Sequence, residues 1–303
     1  MLGEIFYWIF NMSIAAALCA LPIFLLRLIK KIPRRAFIWL WLIPFIRMCV
    51  PVGISSKYGI MAFISKFTTR TVPVYEMGDH ASFTVMNHVM GANSYFPITY
   101  KTDLLHGLFS VCSVIWAIGA LAAVIAIFII YAITSSEIND AKHLYGNVYV
   151  SEKIQTPSVY GIIKPKIILP REYPEGELKF ILMHETAHIR RGDNLIRLLA
   201  LILVCVHWFD PLAWLILKCL YNDTELACDE TVLAACTDAE KKQYAYTLLA
   251  SAEKMTVFTA ALGGARIKTR IENIISYKKL SALSVIAFTA LLLAIAYILL
   301  TNA

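Results

Sequence analysis

From about Ile5 to Leu28 the chain carries no charge until Arg27, and Lys30, Lys31, Arg34 and Arg35 follow at once. That length suits a membrane span, since a helix of ~20 residues crosses roughly 30 Å of hydrocarbon. Three more stretches read as spans: about 36–54, which contains Pro44, Arg47 and Pro51; about 104–133, uncharged past Asp103; and about 280–300, entered from Lys278 and Lys279. Composition agrees, with 59% hydrophobic and 16% charged residues, against about 45–50% and about 25% in soluble domains. An ordinary soluble enzyme, a disordered chain and a secreted disulfide scaffold are thereby excluded. The seven cysteines include no C-x-x-C pair that would mark a cysteine zinc cluster.

Basic residues gather on the cytoplasmic side of membrane helices. The cluster between the first two spans therefore predicts an outer amino terminus and an outer loop over 53–103. By the same count 134–279 is cytoplasmic and the carboxyl terminus outer, which makes three regions: 1–133, 134–279 and 280–303. No small-residue cleavage site follows the first span, so it reads as an anchor rather than a signal peptide. The net charge of +7 is concentrated at the ends of apolar runs, and it reports topology rather than direct nucleic-acid binding.

Alternation at Val148-Tyr149-Val150 and again over Val159–Leu169 reads as short strands, with turns at Gly146-Asn147 and Lys164-Pro165. Pro174, Glu175 and Glu177 open a helix that Gly192 closes. Within it lies His184-Glu185-Thr186-Ala187-His188. Residues four apart share a helix face, so both imidazoles can meet one metal ion. The adjacent Glu185 can take a proton from a water that the metal activates. A catalytic zinc site needs a third protein ligand, and Glu225, four residues before Asp229, supplies one. Asp229 then holds a ligand imidazole in its tautomer. Cys228 and Asp193 are rival ligands.

Leu195 to Leu220 is nearly all apolar. A continuous crossing would put Glu225 on the opposite side of the membrane from His184. His207-Trp208-Phe209-Asp210-Pro211 breaks the run, with Asp210 as N-cap and Pro211 as first helical residue. The expectation is a hairpin of two helices, about 195–206 and 211–220, each too short to span.

With these residues assembled, the chain resembles the integral-membrane zinc metallopeptidases of the BlaR/MecR type, signal transducers of β-lactam resistance. The resemblance rests on TPSVYGIIKPKIILP (156–170), HETAHIRRGD (184–193), HWFDPLAW (207–214), ELACDE (225–230) and the basic run Arg266 to Arg270. It implies a multi-span α-helical membrane protein with four transmembrane helices and a cytoplasmic α+β gluzincin-like zinc metallopeptidase domain. One zinc would sit on His184, His188 and Glu225, with Glu185 as general base. The strand around Val159, Tyr160, Gly161, Ile162 and Ile163 becomes a candidate substrate shelf, since extended peptides add to sheet edges. Tyr244, Tyr246 and Arg266 are candidate donors to the developing oxyanion.

By the same resemblance the partners are the lipid bilayer and a protein substrate, either the chain itself or a winged-helix repressor. The setting is a bacterial cell membrane, and Arg266–Arg270 is a candidate exposed cleavage region. Receptor members carry a penicillin-binding sensor domain after the last span. Here the sequence stops at Ala303, so direct acylation by a β-lactam is not expected of these residues. A non-catalytic membrane scaffold and a general quality-control protease are the competing readings.

Overall fold

The computed structural model describes residues 2–29, 32–50, 103–252, 267–277 and 282–300. The predicted outer loop over 53–103 and Arg266 therefore fall outside the described residues, apart from the loop's last position. Two helices, α1 (Leu2–Arg27) and α2 (Arg34–Cys49), precede α3 (Asp103–Ile138). A small sheet follows, made of β1 (Lys142–Tyr145), β2 (Val148–Val150), β3 (Ser158–Tyr160) and β4 (Lys166–Leu169). Then come α4 (Glu175–Arg191), α5 (Asp193–Val206), α6 (Pro211–Ala235), α7 (Asp238–Ala252), α8 (Ile267–Ser276) and α9 (Ala282–Leu300).

By length and apolarity two segments among the described residues can cross a membrane, Leu2–Arg27 and Gly107–Ser136. The second predicted span forms a helix of 16 residues, about 24 Å long. The last contains a shorter apolar helix, Ile286–Leu300. One apolar cluster ties five helices together: Ala16 and Ile23 of α1, Phe37 and Trp41 of α2, Val204 of α5, Ile216 and Leu220 of α6, and Leu299 of α9 all lie in it.

The strand order is β1-β2-β4-β3. β2 pairs parallel with β4 through Val148↔Ile167 and Val150↔Leu169, and the other two pairings are antiparallel. The apolar alternation identified β2, β3 and β4. β1 escaped because all four of its residues are exposed, which leaves no buried face to produce a pattern. Val148, Ile167 and Leu169 pack on Ile181 of α4, so the sheet lies against the helix that carries the two histidines.

The hairpin break is where the sequence puts it. Asp210 accepts a hydrogen bond from the backbone N–H of Leu212 at 2.8 Å, and Pro211 opens α6. The second arm differs from expectation, because α6 does not stop near Leu220 but continues to Ala235 through the ELACDE segment. The polar stretch Tyr221–Thr224 looked like a helix end, yet its groups are satisfied within the fold. The Asp223 carboxylate is held by Arg27 and Trp41, and the Thr224 hydroxyl donates to the Leu220 carbonyl. With no glycine or proline between Pro211 and Ala235, nothing breaks the helix.

Candidate metal centre

The site begins with α4. Glu175 and Glu177 occupy its positive end and Arg190 and Arg191 its negative end, both favourable to the helix dipole. Gly192 ends it at φ +68°, a left-handed conformation that glycine adopts without a Cβ penalty. The chain reverses there, and α5 starts immediately with Asp193. His184, Glu185 and His188 all lie on the buried part of α4.

The two imidazoles turn the same nitrogens toward each other, with His184 Nε2 3.2 Å from His188 Nε2. From α6, Glu225 brings Oε2 to 3.4 Å from His184 Nε2 and Oε1 to 3.6 Å from His188 Nε2. A tetrahedral zinc with bonds of about 2.0–2.1 Å separates its ligand atoms by roughly 3.3–3.4 Å. The donor triangle, in which each imidazole meets a different oxygen of the one carboxylate, comes close to the dimensions such an ion requires.

Cys228 belongs to a second grouping, since its sulfur together with both histidines also falls within the range of a shared metal. Its Sγ, however, lies 3.3 Å from His188 Nδ1, the nitrogen that points away from His184. It also accepts a hydrogen bond from Arg191 at 2.7 Å. Burial pushes its thiol well up from the ordinary value, and Arg191 only partly opposes this. Cys228 thus approaches the rear nitrogen of His188, whereas the Glu225 carboxylate approaches the Nε2 atoms of both rings.

Each histidine has a carboxylate behind it. Asp193 Oδ2 lies 2.7 Å from His188 Nδ1, and Arg191 holds the same carboxylate. Asp229 Oδ1 lies 3.3 Å from His184 Nδ1. Between them is the Tyr244 hydroxyl, 3.0 Å from the same nitrogen and donating to Asp229 Oδ1 at 2.6 Å. Such partners fix the tautomer so that Nε2 is left to face a metal. Asp193, weighed from the sequence as a rival ligand, sits instead against the rear nitrogen of His188. Its place directly after the helix-ending glycine was the available clue.

Two arginines flank Glu225: Arg197, which the sequence did not single out, and Arg270, which it marked only as part of a basic run. Arg197 of α5 donates to Oε1 at 2.6 Å, and Arg270 of α8 has Nη1 3.7 Å from Oε2. Arg270 also binds Asp229 with two donors, at 2.8 and 2.6 Å. Burial alone would raise the carboxyl pKa values. The neighbouring His188 and Arg197 hold Glu225 well below the usual carboxylate range, and Arg270 brings Asp229 down to about 2. At His184, burial and Arg270 disfavour the charged ring, but hydrogen bonds to Asp229 and Glu225 outweigh them and lift it to about 9.

Several expectations are corrected here. Arg270 is no exposed cleavage point, because it lies in α8 with its side chain only 12% exposed and clamped on Asp229. Tyr244 stands on the Nδ1 side of His184, so its hydroxyl orients the ring rather than facing the donor triangle. Tyr246 is 72% exposed and, two residues along α7, points away from Tyr244. Of the proposed shelf, only Val159 and Tyr160 lie in β3, which sits at the sheet edge beside α4. Gly161 leaves the strand at φ +90°, and Ile162 and Ile163 follow outside it. The Asn194 amide donates to the carbonyls of Val159 and Gly161 at 3.0 and 3.2 Å, so these edge acceptors are already taken.

The family model described as BlaR1 peptidase M56 matches residues 7–274. The chain is 30% identical over 159 residues to the regulatory protein BlaR1 of Bacillus licheniformis, covering 48% of this chain and 26% of that protein. It is 29% identical over 112 residues to the methicillin resistance mecR1 protein of Staphylococcus aureus strain Mu50, covering 36% of this chain and 19% of that one. The match thus spans about a quarter or less of these relatives' own length.

Proposed function

The chain belongs to the BlaR1 peptidase M56 family, and from that premise we propose that it is a membrane-embedded zinc metalloendopeptidase whose cytoplasmic cut transmits a signal. The observation that carries this reading is the convergence of His184 Nε2 and His188 Nε2, 3.2 Å apart, on the Glu225 carboxylate, whose Oε2 and Oε1 lie 3.4 and 3.6 Å from them respectively. His184, His188 and Glu225 would hold the zinc. When bound, that ion supplies Lewis acidity that polarises the scissile carbonyl and brings the pKa of water toward ~7.

The chain's own groups do the rest. Glu185, next to His184 and buried with it, takes the proton of the attacking water and passes it to the leaving amine. Asp193 and Asp229 keep both imidazoles presenting Nε2. Arg197 and Arg270 hold the Glu225 carboxylate ionised and aimed. The substrate is this chain itself or a repressor protein, and the outcome is a signal rather than bulk degradation.

The topology that goes with this is four spans, formed by α1, α2, α3 and α9, with both termini outside and 134–279 in the cytoplasm. The re-entry of α5 and α6 between them supports it. That hairpin returns Glu225 to the side of His184, which a single crossing would not.

Metal analysis of the purified chain tests the ligand set. Wild type and Cys228→Ala should each bind about one zinc, whereas Glu225→Ala should lose most of it. Zinc retained by Glu225→Ala and lost by Cys228→Ala would replace Glu225 with the thiol. Glu185→Gln should keep its zinc and lose cleavage. Unchanged signalling by that variant would make the protein a scaffold instead of an enzyme.

A further inference from the structure

The turn between β3 and β4 ends in Gly161-Ile162-Ile163-Lys164-Pro165, and it exposes its most apolar residues. Ile163 is 92% exposed, and Ile162 is exposed beside it. Nothing in a water-facing turn calls for two adjacent isoleucines there. The turn is nevertheless built with care. Gly161 takes φ +90°, and a Cβ on it would come within 2.8 Å of the Lys164 carbonyl oxygen, so the tip is folded tightly enough to exclude any larger residue.

Its height relative to the membrane follows from the hairpin of α5 and α6. Asn194, near the start of α5, bonds the carbonyl of Gly161. From Asn194 to His207 is thirteen residues, or about 20 Å of helix. The other arm has the same length, from Asp210 down to Asp223. The hairpin tip is seated deep among the membrane helices, with His207 Nδ1 2.8 Å from the Ser13 hydroxyl of α1 and Trp116 of α3 donating to the Val206 carbonyl. Asp223, at the foot of the second arm, is bound by Arg27, the first cation after the apolar run of α1. Equal arms put Asn194, and with it Gly161, level with Arg27. That is the headgroup level of the inner leaflet.

Two further features agree. Leu195 and Leu199, next above Asn194 on α5, are exposed and apolar, so the surface from Ile163 upward continues into the lipid-facing side of the hairpin. Lys164 in the turn and Lys166 just after it are exposed cations, suited to anionic phospholipid headgroups. We propose that Ile162 and Ile163 insert into the cytoplasmic face of the bilayer as a wedge, with Lys164 at the phosphate level, so that lipid holds the sheet edge beside the metal-site helix. The partner is the anionic phospholipid surface itself. This rests on the membrane reading above.

The experiment places photo-crosslinking benzoylphenylalanine at Ile163, in the full chain, in membranes containing radiolabelled phosphatidylglycerol. Ile129, on the exposed side of α3, gives the reference for a lipid-facing position. Asp238, the first residue of α7 and almost fully exposed, gives the baseline for a water-facing one. The expected result is a lipid adduct at Ile163 at least half as abundant as at Ile129 and several-fold above Asp238. The same probe at Lys164 provides a second position should the first variant fold poorly. A yield at both positions equal to that of Asp238, or adducts to protein only, would overturn the wedge. Absence of lipid adducts at Ile129 as well would instead overturn the membrane reading on which it stands.

Discussion

Asp193 and His188 meet at 2.7 Å across the break between α4 and α5, and the glycine separating those helices is what allows it. A carboxylate five residues after the second histidine cannot reach back along a continuous helix. The left-handed Gly192 turns the chain so that the first residue of the next helix lands on the far nitrogen of the imidazole.

That contact and its counterpart on His184 give the first prediction. Asp193→Asn and Asp229→Asn should each weaken zinc binding by about 10–100-fold, the usual cost of losing an outer partner of a ligating histidine. Competition with a chelating zinc indicator measures this directly. An unchanged affinity in both variants would mean that the carboxylates do not orient the rings.

Acidity provides the second. In the metal-free protein His184 keeps its proton up to about pH 9, and only the neutral ring can bind a metal. Apparent zinc affinity should therefore fall by about tenfold per unit as pH drops below 9, with close to one proton released per ion bound at neutral pH. For the apo protein the sign is opposite. A raised histidine pKa contributes stability that is complete below about 6.5 and lost as pH rises through about 9. Calorimetric zinc titrations in buffers of differing ionisation enthalpy count the protons, and apo melting curves at the two pH values check the second half.

A third prediction concerns Asp223, which is fully buried and held by Arg27 and the Trp41 indole, with Arg34 nearby. On the same face of α6, Glu230 accepts from the free N–H groups of Arg34 and Arg35 at the start of α2, where Pro33 supplies no side-chain cap. Asp223→Ala should cost about 1–3 kcal/mol, since it leaves two partly buried arginines and the Trp41 indole without their shared acceptor. Thermal unfolding in nanodiscs should show a melt many degrees lower, and an unaltered melt would remove Asp223 as a tie between the membrane helices and the site.

The fourth is steric. Trp208 at the hairpin tip lies over Gly119 of α3 so closely that a Cβ there would stand 2.6 Å from the indole. Gly119→Ala should push the ring out at a cost of about 1–3 kcal/mol. It should also break the hydrogen bond from the Trp208 indole to the Trp116 carbonyl, visible as a shift in tryptophan emission. Wild-type emission and stability would show that α3 and the hairpin do not depend on this seat.

The sequence alone determined whatever is periodic or short-range. Its apolar runs marked the two long helices α1 and α3, proline and carboxylates opened α4, Gly192 closed it, Asp210-Pro211 divided the hairpin, and the spacing of four put His184 and His188 on one face. These are properties of neighbouring residues, decided within a turn or two of helix. Only the tertiary structure decided which distant groups share a charge. Asp193 went behind a histidine, Arg197 and Arg270 went to Glu225, Tyr244 turned to the rear of His184, and the polar stretch around Asp223 continued a helix it was expected to end. Each of those outcomes depends on a partner far along the chain, because a buried charge is stable only where another segment brings its counter-charge, and no local pattern records which segment that is.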